Sequence, residues 1–362
     1  MPAELKAEPE NFTLSIPVLS LKTALLRNTP YRRLFHTWTD FRFSSPASTS
    51  FCRMPPASAV ITAIAELFGL FALGWFIRRK GYAQPEDLHR WGRIATEIFY
   101  PLLIFNSIVR DFDAARVREL WVLPVLALSM MIAGALVGLV FRKAMRSRDP
   151  DVRRTFVHLC AMNNFIYLPI FIIQRSSLPA GGLADFFVFN LGSTIGFWTI
   201  GILTLGGTAD WRGTLRHLTS PAILSMFLAI GLACAGAKNW LPAPLLGVCQ
   251  SAGSISVPLM LVIIGATIHG SFRRDQARDL TLLAVLRLAA LPALSLLLIK
   301  AARLDPPMEQ IALIVALMPT SAVSPVMARL YGGSPPFAAA ATLLTHVLCV
   351  VTVPLAFWLL AR

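Results

Sequence analysis

The chain has 362 residues, of which 56% are hydrophobic and only 14% charged, with a formal net charge of +14. An ordinary soluble domain carries about 25% charged residues, and here long apolar runs alternate with short basic clusters such as Arg78-Arg79-Lys80, a pattern that excludes a soluble globular protein. Nucleic acid is excluded as a partner too, because no aromatic and basic binding platform accompanies the positive charge.

Residues 1–53 hold seven Lys or Arg among scattered Pro, Ser and Thr, and contain no apolar signal-peptide core. A segment this basic resists translocation. Either it is an unstructured tail and the number of spans is off by one, or translation begins at Met54, directly before Pro55-Pro56. The second reading is preferred, and the extension is given no role in mechanism.

From there on, windows of about 19 residues pick out ten apolar stretches. They lie at roughly 58–77, 88–109, 120–141, 154–173, 183–205, 219–237, 243–269, 280–300, 309–330 and 335–361. Each is long enough for a hydrocarbon core. Unbroken apolar runs do not fit the alternation of a membrane barrel, so the expected fold is an all-α polytopic membrane protein. Seventeen Lys or Arg fall on one side of the ten spans, against seven on the other with Arg362 at the end. The richer side is cytoplasmic, which leaves both ends of the ten-helix body facing outward in the cell membrane.

A repeat is visible in the prolines. Pro101 and Pro258 lie 157 residues apart (258 − 101), and Pro169 and Pro325 lie 156 apart (325 − 169). Ala161-Met162 aligns with Leu317-Met318 at the same 156 (317 − 161). The landmarks fall in the second and fourth spans of each half. They divide the body into 54–205 and 206–362, two repeats of five spans. Five is odd, so the second repeat enters the membrane inverted, an arrangement that places a site near the midplane.

The fourth and ninth spans are the least helix-like. One reads Cys160-Ala161-Met162-Asn163-Asn164-Phe165-Ile166-Tyr167-Leu168-Pro169 and the other Ala316-Leu317-Met318-Pro319-Thr320-Ser321-Ala322-Val323-Ser324-Pro325. Interior proline costs a helix roughly 3 kcal/mol, and broken backbone survives in lipid only where protein or a water-filled cavity covers it. These spans are expected to be interrupted helices crossing at a pseudo-two-fold axis, with half-helix N-termini turned toward an anion. The alternative is a pair of proline kinks packed with Asn and Ser as interhelical glue.

Pro101-Leu102-Leu103-Ile104-Phe105, Met162-Asn163-Asn164-Phe165 with Leu168-Pro169, Ser220-Pro221-Ala222-Ile223-Leu224, Pro258-Leu259-Met260-Leu261, Leu291-Pro292 and Met318-Pro319-Thr320-Ser321 together resemble the auxin efflux carrier family of bacteria and plants, in the right order from about residue 58 onward. The resemblance implies ten helices in two inverted repeats, broken crossing helices four and nine, and transport of organic anions such as malate, malonate or indole carboxylates. It places the crossover at Asn163, Asn164 and Pro169 on one side and at Pro319, Thr320, Ser321 and Pro325 on the other, and Ser324, beside Pro325, is a further substrate-binding candidate. The basic extension has no counterpart in that pattern.

Further polar residues lie in the spans, where ionisable groups default to functional hypotheses. Arg287 either balances an anion or snorkels to lipid phosphate. His346 either titrates or bonds a neighbouring carbonyl. Asn106 follows Pro101 by five residues and is a further candidate, while Asn190 and Thr194, beside Gly192 and Gly196, read at least half as packing. Glu66 and Glu97 pair with a cation, line a vestibule or relay a proton. The interrupted stretches contain no Asp or Glu, which favours an anionic ligand over a bound cation.

Five cysteines (Cys52, Cys160, Cys234, Cys249 and Cys349) form no C-x-x-C pair or metal spacing, so no metal and no cofactor is expected. No metalloprotease, aspartyl or serine intramembrane-protease motif occurs, which argues against an enzyme. The expected function is a secondary carrier, with a small organic anion and the lipid bilayer as partners and a homodimer left open. The runner-up is a sodium-coupled symporter of the bile-acid type.

Overall fold

A computed structural model describes residues 57–175, 181–206, 219–236, 240–267 and 274–360, the side chains of 57–61 and 274 excepted. The basic extension and the proposed start at Met54 lie outside the described residues. Within them the chain is helical, and no strand occurs.

The helices are α1 (Ala57–Arg79), α2 (85–111, with a π-helical stretch at Ala95–Phe99), α3 (Val122–Phe141), α4 (Pro150–Ala161), α5 (Tyr167–Arg175) and α6 (Gly182–Leu205, π-helical at Phe197–Gly201). After them come α7 (Pro221–Cys234), α8 (Ala243–Thr267), α9 (Ala277–Ala302, π-helical at Leu286–Ala290), α10 (Pro306–Ala316), α11 (Ser324–Tyr331) and α12 (Pro335–Leu360). Proline opens α2, α4, α7, α10 and α12, where its missing N–H is one the helix could not have bonded anyway. Asp149 completes the start of α4 by accepting from the Asp151 N–H at 2.8 Å.

Five stretches are long and apolar enough to cross a membrane by length and composition: Ala114–Ala144, Gly182–Leu205, Ala243–Thr267, Ala277–Ala302 and Pro335–Leu360. They match the third, fifth, seventh, eighth and tenth expected spans. The rest are helical as well, but α1 carries Glu66, Arg78 and Arg79, α2 carries Arg90, Arg93 and Glu97, α7 has 14 residues, and the fourth and ninth spans are each divided in two. Large apolar side chains stand exposed on α3 (Val125, Leu136, Val140) and α12 (Val351, Leu355, Leu359), as expected of faces solvated by lipid rather than water.

Small residues set the closest approaches. A Cβ on Gly74 of α1 would fall 1.9 Å from the Val262 carbonyl oxygen of α8, and one on Gly265 of α8 would fall 2.2 Å from that of Phe71. This mutual contact lets two backbones touch, the usual means of helix association where lipid removes the hydrophobic drive. Gly192 of α6 lies equally close to the Pro124 carbonyl of α3, so the packing reading of that glycine holds. A separate apolar cluster of Phe156 and Leu159 (α4), Leu283 and Leu286 (α9) and Phe337 (α12) anchors α9 beside the end of α4.

Candidate functional site

The fourth expected span stops at Ala161, where Met162 turns extended (φ −99°, ψ 108°), and helix resumes at Tyr167. The ninth stops at Ala316 and resumes at Ser324. Both restarts have proline in their first turn, Pro169 as third residue of α5 and Pro325 as second of α11, positions where the ring costs no hydrogen bond. The kink alternative therefore gives way to true interruptions.

The two breaks satisfy each other's backbone. Asn163 and Thr320 form an isolated antiparallel bridge. The Asn164 N–H donates to the Pro319 carbonyl at 2.8 Å, and the Ser321 N–H donates to the Met162 carbonyl at 3.0 Å. Met162, Asn163 and Asn164 lie 157 positions before Pro319, Thr320 and Ser321 (319 − 162), so this shift exchanges one hydrogen bond for the other. Proline at 319 has no N–H to offer, and its carbonyl is the atom used.

Side chains complete the junction. The Asn163 Nδ2 donates to the Val315 carbonyl at 2.8 Å, capping the C-terminal turn of α10. His346 Nδ1 lies 2.8 Å from the Thr342 carbonyl and must donate there, which leaves Nε2 to accept from the Asn164 amide at 3.4 Å. The Thr320 hydroxyl meets that of Thr345 at 2.8 Å. The Ser321 side chain accepts from the Val323 N–H at 3.4 Å, near the start of α11. Of the predicted site residues, Asn163, Asn164, Pro319, Thr320, Ser321 and His346 thus form one connected group.

Arg287 is 5% exposed, and the snorkelling reading does not hold. Its Nε donates to the Met318 carbonyl at 3.2 Å and its Nη1 to the Cys160 carbonyl at 3.0 Å. These carbonyls lie at the C-terminal ends of the two upstream half-helices, where partial negative charge favours a cation. Arg287 makes no ion pair with any described residue. It lines a small cavity of about 20 Å³ together with Asn163, Ser193 and Ser295. A larger open cleft of about 590 Å³, at the exposed end of α1 around Trp75, Arg79 and Gln84, shares no residue with the junction.

Ser324 joins the site through a residue that the sequence reading passed over. Its hydroxyl lies 3.2 Å from Nε2 of His158, whose Nδ1 lies 3.0 Å from the Gly201 carbonyl in the π-helical stretch of α6. The signal was available, since a histidine inside an apolar span is uncommon and costly. Thr345 was missed as well; nothing in its local sequence marks it. Asn106 is buried with its Oδ1 unbonded, and no described contact ties it to the junction. Glu66 pairs with Arg175, and Glu97 with Arg93 at 3.3 Å, both on exposed side chains, so neither carboxylate faces the breaks.

A sequence model of the family described as "membrane transport protein" matches residues 59–201 and 212–358. The chain belongs to that family, the auxin efflux carrier family it resembled by motif. A transporter of Methanothermobacter thermautotrophicus, carrying the label "uncharacterized transporter", is 26% identical over 238 residues, which cover 64% of this chain and 76% of the relative. The protein is therefore a membrane transporter, built of helices whose two interruptions pair.

Proposed function

We propose that this family member is a secondary transporter of small organic anions, moving them by alternating access about the paired breaks. In this reading the ten expected spans form two inverted repeats, 54–205 and 206–362, in the cell membrane with both ends of the body outward. The observation that carries it is the exchange of the two backbone hydrogen bonds, Asn164 to Pro319 and Ser321 to Met162, under a single shift in sequence. Inverted repeats related by a pseudo-two-fold axis in the membrane plane let one half rock against the other around a fixed central site.

The substrate site consists of Asn163, Asn164, Pro169, Pro319, Thr320, Ser321, Ser324, Pro325 and His346, with Arg287 beside it; Asn106 is a further candidate that no described contact ties to the breaks. Two features support an anion. The N-terminal ends of α5 and α11 begin just past the breaks and carry partial positive charge, and no Asp or Glu lies within the interrupted stretches.

Uptake into proteoliposomes tests this directly, with labelled acetate, malonate and benzoate as probes and sodium present or omitted. The expected result is saturable, sodium-independent uptake of at least one carboxylate, reduced on the order of tenfold or more in Asn163→Ala, Asn164→Ala and Ser321→Ala at equal protein content. Full transport in all three variants would remove the site from the breaks. Uptake that requires sodium would favour a symporter.

A further inference from the structure

Arg287 has five N–H donors, and an arginine keeps its charge in proteins. Two donors are committed, one to Met318 and one to Cys160. The other three have no partner among the described residues, and neither does the positive charge. A buried charge left in this condition is costly, so its presence calls for an explanation.

The surroundings supply one. Ser193 on α6 is 2% exposed and Ser295 on α9 is 9% exposed; both line the same cavity as Arg287, and neither hydroxyl makes a hydrogen bond to any described residue. Inside a membrane helix a serine ordinarily bonds the carbonyl one turn back, as Ser107 does to Leu103 at 2.8 Å. Here two buried serines and three guanidinium donors converge on one space without satisfying one another. Asn163 of the first break also lines the space, and the rest of the lining is apolar, Met131, Phe189 and Leu291 among it. Arg287 also lies in the π-helical stretch Leu286–Ala290, an irregularity frequent at functional sites.

We propose that Arg287 is the charge partner of the transported anion, binding a carboxylate in this cavity with Ser193 and Ser295 as additional donors. The proposal rests on the transport reading above and puts the charged end of the ligand beside the paired breaks, where Asn163 lines the same space as residues of α3, α6 and α9. A planar carboxylate suits a guanidinium fork, which presents parallel N–H groups. The cavity, at about 20 Å³, has room for one water, so a carboxylate enters only as the lining parts. The two carbonyls that hold the guanidinium belong to the fourth and ninth spans, one to each. A ligand that draws Arg287 toward itself therefore weakens a tie to both broken helices at once.

The test is ligand-dependent thermal stability of the purified full chain in detergent, titrated with acetate, malonate and benzoate and with acetamide, malonamide and benzamide as uncharged controls. The wild type is expected to gain stability with at least one carboxylate and with none of the amides. Arg287→Met loses that gain, and Arg287→Lys keeps a reduced one because an ammonium supplies charge without the fork. Ser193→Ala and Ser295→Ala each shift the midpoint to higher ligand by up to about tenfold. A carboxylate gain of unchanged midpoint in Arg287→Met overturns the proposal while leaving anion transport standing. No response to any carboxylate in the wild type overturns both. If Arg287→Met does not fold, unchanged midpoints in Arg287→Lys and in the double variant Ser193→Ala/Ser295→Ala overturn it equally.

Discussion

The break after α4 and the break after α10 share a backbone plan and differ in chemistry. Each sends one N–H to the other and receives one in return. The first break then works through side-chain amides that reach outward, Asn163 to α10 and Asn164 to α12. The second works through hydroxyls, Thr320 across to Thr345 on α12 and Ser321 locally to Val323 just before α11. Backbone pairing is the part that neither break can alter alone, because each carbonyl in this buried region needs the other's donor. Side chains are free to diverge. The same holds one layer out: 157 positions before Arg287 stands Met130, which lines the same cavity and carries no charge. The symmetric part supplies the architecture, and the asymmetric part supplies the charge.

The strongest way to break this comparison is to remove the backbone donors one at a time. Asn164→Pro leaves the Pro319 carbonyl without its donor, and Ser321→Pro does the same to Met162. Each is expected to cost roughly 1–3 kcal/mol and to abolish uptake, with thermal midpoints falling by similar amounts. A loss confined to one variant would end the equivalence of the two breaks.

A smaller effect separates the side chains. Asn163→Ala removes the side-chain donor to the Val315 carbonyl, which keeps the Met318 N–H at 3.2 Å, and should cost about 0.5–1.5 kcal/mol for the lost hydrogen bond. Thr320→Val should cost about 0.5–1 kcal/mol, because the Thr345 hydroxyl keeps its contacts to Ala341 and Thr342. Equal losses, measured by thermal melting in detergent, would mean that the two breaks differ less than their chemistry suggests. The smallest effect belongs to Ser324→Ala, which leaves His158 Nε2 without its partner at a cost of about 1 kcal/mol. Uptake should fall there by less than in Ser321→Ala; unchanged uptake would place Ser324 outside the substrate site.

The sequence carried the outline of this arrangement for physical reasons that can be named. Proline and paired polar residues inside apolar runs mark positions where a helix cannot continue, and both breaks were legible from them. The expectation of a repeat came from prolines 157 and 156 residues apart and from pairing Met162 with Met318, one residue off the 157-residue shift that relates the two hydrogen bonds of the breaks. Arg287 was visible as an anomaly but open in meaning, since its answer lies in carbonyls at Cys160 and Met318 that are distant in sequence. His158 and Thr345 gain their roles from partners on other helices, Ser324 and Thr320. The π-helical stretches at Ala95–Phe99, Phe197–Gly201 and Leu286–Ala290 have no local signature that a periodicity reading detects.

Inversion of the two halves is the central claim, and the side of the membrane reached by equivalent positions tests it most directly. Arg142 follows α3 and Lys300 lies at the end of α9, at corresponding places in the two halves. Single cysteines at these positions, in a chain whose native cysteines are replaced by serine, can be labelled with a membrane-impermeant maleimide on intact cells. The account predicts that Lys300→Cys reacts from outside while Arg142→Cys reacts only after the membrane is permeabilised. Labelling of both from the same side would contradict it.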